Sequence, residues 1–384
     1  MRNPDTALRE AIRPGCTVAL GDGAGMPSAV CRELSEAARE AGDVRLITGW
    51  ILESPDGLDV TAFADVRTYM GGYRLGSAVR AGQASYVPVN LSQLPALLDT
   101  VWRPDVAIIS VVETPQGLAL GSEAGWMVAA ARAATTCLAE LNTAAPAACP
   151  PDLLDGVDIT VVSESDLPPA AVPAGTPDEI TAVIAARVAE LVLAGAALQF
   201  GPGAMGAALV SALRQPVRID SGLLGDAVAA LDGRGLLLDR PRGAYLVGTP
   251  VLYDWADGRP VLDRIEVTHD SSRLSSLDLI AVNTALQIDR TGQIGVEQTA
   301  DRVIAGIGGH TDYMAAATRS MRGLSVIAMP SSHRGESTLL PRLEVPVSTP
   351  RSMVDIVVTE LGTADLRGLT DAERAAVLGR VFGD

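Results

Sequence analysis

Twice along this chain a short apolar stretch runs into a Gly-x-Gly turn that opens a helical pattern. The first copy is Cys16–Leu20 followed by GDGAGMPSAVCREL (21–34), and the second is LQFGPGAMGAALVSAL (198–213). Setting Gly21 on Gly201 places Gly23 on Gly203 and Val30 on Val210. An apolar strand, a tight glycine turn and a helix form the repeating unit of a parallel sheet whose strands are buried on both faces. Two equivalent starts predict two halves of similar build. Further apolar runs read as strands at Val44–Thr48, Tyr86–Val89, Val106–Val112, Thr136–Glu140, Val157–Val162, Ile280–Ile288, Leu324–Met329 and Met353–Val358. Helical patterns fall at 1–14, Met127–Thr136, Asp178–Leu193 and Asp371–Val381, with a hairpin-like region around Tyr245–Asp257. The expected fold class is therefore α/β, two similar domains with mostly parallel sheets. VPAGTP (172–177) has linker composition, which predicts domains at 1–176 and 177–384.

The charged residues exclude several chemistries. All 30 residues in the Lys+Arg count are arginine. Schiff-base chemistry, pyridoxal phosphate attachment and the P-loop lysine are thus closed to this chain. A net charge of −16 argues against nucleic acid, whose binding rests on basic contacts to phosphate. The turn at Gly21 and Gly23 lacks the third glycine of a dinucleotide fingerprint, so no nucleotide cofactor is expected. Cys16, Cys31, Cys137 and Cys149 show neither metal nor disulfide spacing, and no metal is expected. No apolar run approaches a membrane span, and the start MRNPDTALREAIRPG has no apolar core of a signal peptide. A cytoplasmic protein without a membrane partner is the expectation.

A third glycine turn carries the chemistry. In VIAGIGGHTDYMAAATRSMRGLSVIAMPS (303–331), Gly306, Gly308 and Gly309 precede a helical pattern with Met314, Ala317 and Met321 on one face. Gly323 then breaks the chain before an apolar strand closed by Pro330. Backbone N–H groups at such a helix start stabilise anions and developing oxyanions. His310 and Asp312 are the ionisable groups beside those amides. Glycines near a helix start also serve the turn alone, and the pattern by itself decides nothing.

The stretch resembles the GIGGQ-x-DF…A-x-x-S-x-GG segment of the acetyl-CoA hydrolase/transferase family, the class I coenzyme A transferases. YVPVNLSQLP (86–95), DVAIISV (105–111) with GLALG (117–121), LQFGPGAMGAALVSAL (198–213), NTALQIDRTGQI (283–294) and TPRSMVDIVVTELGTADLRG (349–368) resemble further family segments in the same order. The resemblance implies two α/β domains with the active site between them, a homodimer, and coenzyme A bound as an acyl-CoA substrate. A carboxylic acid is the optional second substrate. It also implies that Gln199, Gly201, Gly203, Gly306, Gly308, Gly309 and Tyr313 bind the coenzyme A portion.

In that family a glutamate carboxylate attacks the acyl-CoA and passes through a glutamyl-CoA thioester. The matching segment here is VRIDSGLLGDAVAALDGRG (217–235). Aspartate on aspartate at Asp226 puts Gly222 at the glutamate position and Asp220 at the preceding histidine position, with Ser221 between. Three readings follow from this resemblance. The pocket activates water or another nucleophile directly, with Asp220, His310 or Glu297 as base. Alternatively, it makes or breaks a carbon–carbon bond beside the thioester carbonyl. In the third reading the chain is a silent binding subunit. His310 stands where the family has glutamine, placing a group that ordinarily titrates near neutrality at the turn. His269 and His333 have weaker cases, and Glu53, Glu113 and Glu123 are carboxylates that no motif selects. Glu360 and Arg367 are expected to form a structural ion pair or capping network. Arg351 is open between a ligand anion and scaffold packing.

Overall fold

The computed structural model describes residues 4–52, 57–299 and 302–384. The chain divides into two compact units. One comprises Met1–Val172, Ala244–Glu266 and Val303–Gly306; the other comprises Pro173–Gly243, Val267–Arg302 and Ile307–Asp384. The first crossing lies at the 172–177 segment, but the chain afterwards returns twice to the first unit, which a composition-based boundary has no means of showing.

The first unit holds an eight-stranded sheet. Its order is Ser85–Tyr86, Asp65–Thr68, Arg45–Thr48, Thr17–Leu20, Val106–Thr114, Thr136–Asn142 and Ile159–Ser165, with Gly117–Leu120 paired on Val106–Thr114. Only that last pairing is antiparallel; Val18, for example, lies in parallel register between Leu46 and Val106. The run from Val106 to Val112 is buried throughout, as a strand covered on both faces requires. Val18, Leu20, Leu46, Val66, Ile108, Leu138 and Val162 form the core with Leu8 and Leu34 from the helices Pro4–Ala11 and Cys31–Ala41.

In the second unit six strands run in the order Arg218–Ile219, Ala197–Phe200, Leu279–Asn283, Leu324–Ala328, Ile356–Thr359 and Gly362–Asp365. All neighbours are parallel except the last pair. Leu279, Ala281, Ile327, Val357, Tyr313 and Met314 pack its core with Leu378 and Phe382 from the helix Asp371–Phe382. That helix is bounded as its sequence dictates: Thr370 and Glu373 form a capping box, and Gly383 closes it in the left-handed conformation.

Several expected elements differ. Ile280–Ile288 is two strands: Leu279–Asn283 in the main sheet, and Gln287–Asp289 in a small sheet with Ile294–Gly295 and Leu339–Leu340. The region Tyr245–Asp257 is a helix, Pro250–Ala256, after the short strand Tyr245–Leu246; proline at the first helical turn is preorganised for that start. The helix after the third glycine turn covers only His310–Ala317, so Met314 and Ala317 are buried while Met321 is 96% exposed. The two Gly-x-Gly turns also diverge. Helix Ala204–Ala212 begins directly after Gly203, whereas the first turn runs on to Val30 before its helix starts at Cys31. All four cysteines are buried free thiols. Among the described residues no helix is long and apolar enough to cross a membrane.

Candidate functional site

In open parallel sheets ligands gather outside the carboxyl ends of the strands. At that edge of the second unit, Phe200 leads into Gly201, Ile219 into Asp220–Gly222, and Asn283 into Thr284. Gln199 and Asn283 exchange two amide hydrogen bonds, at 3.3 and 2.9 Å, which ties the ends of two adjacent strands. Gly203 caps the helix Ala204–Ala212, and nothing lies within 4 Å of where a side chain on Gly201 or Gly203 would begin.

The segment after Ile219 is held rigidly. The Asp220 amide donates to Leu198 O and the Ser221 hydroxyl to Phe200 O, at 3.2 and 3.0 Å. Arg273 clamps the buried Asp220 carboxylate with two bonds, Nη1 to Oδ2 at 2.5 Å and Nη2 to Oδ1 at 2.8 Å. Arg242 adds a more distant contact at 3.6 Å. Both Asp220 carboxylate oxygens are thereby committed to charge-assisted hydrogen bonds with one guanidinium.

Gly222 comes next, and it faces a histidine. A Cβ at Gly222 would lie 3.1 Å from His269 Nε2 and 3.6 Å from the Tyr313 ring; a Cβ at Gly309 would collide with the same Nε2. His269 is 1% exposed. Its Nδ1 lies 2.9 Å from the Thr268 hydroxyl, and its ring meets Tyr313 edge-on at 5.1 Å. The Tyr313 hydroxyl donates to Thr268 O at 2.9 Å, so Tyr313 serves to hold the 268–269 segment. Nε2 has no hydrogen-bond partner. Burial, reinforced by the Arg273 charge, pushes His269 down to about 3, leaving a neutral imidazole at pH 7.

The third glycine turn uses its residues for different reasons. Gly308 has a φ of 61° with open space around it, a conformation that favours glycine. Gly309 has a φ of −90°, so its missing side chain answers to His269 and not to the backbone. Gly306 belongs to the first unit, where it packs against the Tyr69 carbonyl. His310 opens the helix, half-buried, with Nδ1 2.9 Å from the Thr349 hydroxyl. Burial pushes it down to about 4, partly opposed by the Thr284 backbone. Titration near neutrality, expected from the residue type, is thus replaced by a neutral imidazole across the physiological range. Glu297 is buried and accepts from the Ser348 hydroxyl at 2.9 Å, while Thr311 donates to Ser348 O at 3.0 Å. His310 and Glu297 therefore both attach to the 348–349 segment.

The remaining candidates lie elsewhere. Arg351 is exposed and pairs with Asp371. Glu360 accepts from the Ser331 amide and hydroxyl, whereas Arg367 forks onto Asp365, so the expected Glu360–Arg367 pairing does not form. His333 is exposed, and Glu53 lies outside the described residues. In the first unit Glu123 is buried against the Gly25 amide and Ser122, and burial pushes it up to about 8. Asp22, also raised by burial, accepts from the Trp50 amide at 2.7 Å, from Trp126 Nε1 at 3.0 Å, and from the Tyr69 hydroxyl. Among the described residues no three His, Cys, Asp or Glu side chains are grouped to hold a metal.

The second-unit edge thus offers a dry, neutral imidazole with an unused nitrogen, glycine-walled backbone on either side, and an adjacent helix start. Such a set can polarise a carbonyl oxygen. Sequence reasoning ranked His269 low because nothing in VTHDSS (267–272) signals its neighbours; Gly222 and Gly309 meet it only in the folded chain.

Residues 248–381 match the model of the acetyl-CoA hydrolase/transferase C-terminal domain. The 4-hydroxybutyrate coenzyme A transferase of Clostridium kluyveri is 29% identical over 78% of this chain and 75% of its own length. The succinyl-CoA:acetate/propanoyl-CoA:succinate CoA transferase of Fasciola hepatica is 28% identical over 96% of this chain and 82% of its own. The crystal structure of RipA from Yersinia pestis shares the fold with a TM-score of 0.88, covering 99% of this chain and 93% of that one at 24% identity.

Proposed function

The chain belongs to the acetyl-CoA hydrolase/transferase family, and on that footing we propose that it attacks an acyl-CoA thioester directly, without a glutamyl-CoA intermediate. Its relatives are named as coenzyme A transferases and acetyl-CoA hydrolases, which gives the substrate class. One observation carries the mechanism. At the position where the resemblance puts the glutamate stands Gly222, and the space beside it is filled by the His269 ring. Asp220, the carboxylate nearest in sequence, is committed to Arg273. Water then adds to the thioester carbonyl carbon, the C–S bond breaks, and the departing thiolate takes up the proton that the water loses, giving a carboxylic acid and coenzyme A.

The test follows thiol release from a panel of acyl-CoA esters, with and without added carboxylates, alongside borohydride and hydroxylamine trapping with peptide mass analysis. Turnover without any protein adduct is expected. A trapped glutamyl adduct anywhere in the chain would reinstate double displacement.

A further inference from the structure

A buried polar nitrogen without a partner is uncommon in folded proteins, because it gives up its bond to water and gains none in return. His269 Nε2 is such an atom, and its surroundings are arranged to keep it there. Thr268 fixes one ring nitrogen, Tyr313 backs the ring, and the two backbone positions in front of Nε2 are both glycine. Any larger residue at 222 or 309 would fill the approach to the nitrogen. The glycines present no side chain in front of Nε2, so only backbone has to move for a ligand to reach it.

We infer that His269 is the oxyanion donor of this site: its Nε2–H hydrogen-bonds the carbonyl oxygen of the acyl-CoA thioester once the Gly222 and Gly309 backbone in front of it gives way. The inference rests on the acyl-CoA reading above. In the tautomer that carries the single ring proton on Nε2, Nδ1 accepts from the Thr268 hydroxyl, 2.9 Å away. As the nucleophile adds to the carbonyl carbon, the C=O electron pair moves onto oxygen and the fixed N–H stabilises it; when the C–S bond breaks the pair returns, and the imidazole keeps its proton throughout. A neutral imidazole suits this task, because it donates without surrendering a charge. The shielding of Nε2 strengthens the bond further.

Two measurements decide it. The chain has only three histidines, so its imidazole nitrogens are resolvable by NMR after histidine labelling. Wild-type protein is titrated with a stable ketone analogue of acetyl-CoA, in which carbon replaces the thioester sulfur. A shift of the His269 Nε2 resonance with the proton retained supports the role. Binding of the analogue with that resonance unmoved overturns the role and leaves the acyl-CoA reading standing. No binding of this analogue or any acyl-CoA overturns both. In kinetics, His269→Ala is expected to lower kcat by about 10²–10³-fold, the loss typical of one oxyanion donor, with KM little changed. His269→Asn, which keeps an N–H donor, should recover part of it. Melting temperatures are recorded for both variants. If the folded Asn and Ala variants match wild-type kcat, His269 is no donor.

Discussion

Arg273 grips Asp220 through both carboxylate oxygens, and the pair is sheltered, with side-chain exposures of 23% and 8%. Removing one partner of such a pair strands the other charge. Asp220→Asn should therefore lose about 3 kcal/mol of stability, read as a lowered denaturation midpoint at unchanged slope. A variant of wild-type stability with abolished turnover would instead make Asp220 the base.

His310→Gln exchanges one neutral hydrogen-bonding side chain for another. Its rate should fall by much less than the roughly 10²–10⁴-fold expected for loss of a general base. Wild-type kcat, plotted against pH, should show no step near 6.5 that the variant lacks. A step that disappears in the variant would return His310 to proton transfer.

Gly308 and Gly309 should respond differently to alanine. Gly309→Ala drives a methyl into His269 Nε2 and should cost about 1–3 kcal/mol by overpacking. His269→Ala in the same chain should recover much of that loss, a coupling read from a double-mutant cycle. Gly308→Ala should cost about 1–2 kcal/mol through its left-handed backbone, with no recovery from His269→Ala. Equal coupling at both positions would mean that Gly309 is not there for the imidazole.

Buried carboxyls and buried imidazoles pull the stability profile in opposite directions. Glu123, raised to about 8, and Glu140, raised to about 7, both by burial, hold protons in the folded state that the unfolded chain releases near 4.5. Their contribution is complete below about 4.5 and is lost as pH rises through 7 and 8. His269 and His310, lowered to about 3 and 4, contribute fully above 6.5 and lose that contribution as pH falls toward 4 and 3. The melting temperature should thus drop between pH 6.5 and 8.5. Glu123→Gln should flatten that limb, and an unchanged slope in the variant would show that Glu123 is already ionised at neutrality.

The sheets were legible in the sequence because burial writes itself into short apolar runs. Val106–Val112 and Leu324–Met329 needed no partner to be recognised. Tyr245–Asp257 misled because Gly248, Thr249 and Pro250 between two apolar runs have turn composition, while Pro250 marks a helix start only once Thr249 is known to be extended. Met321 matched the helical spacing, yet the helix stops at Ala317. At the site, Gly222 and the glycine turn could be picked out along the chain. The contacts that decide their chemistry could not. Asp220 meets Arg273 and Gly309 meets His269 across 53 and 40 positions of sequence, and local patterns carry no trace of such meetings.

The four thiols lie buried, Cys137 pushed up to about 12 by that burial, and no lysine is present at all. The folded protein is consequently almost blank to maleimides and to amine-directed esters. One cysteine introduced at Val101 in the first unit, 77% exposed, or at Met321 in the second becomes a unique chemical handle. A fluorophore or spin label placed there reports from a single known position, with the native sulfhydryls left untouched.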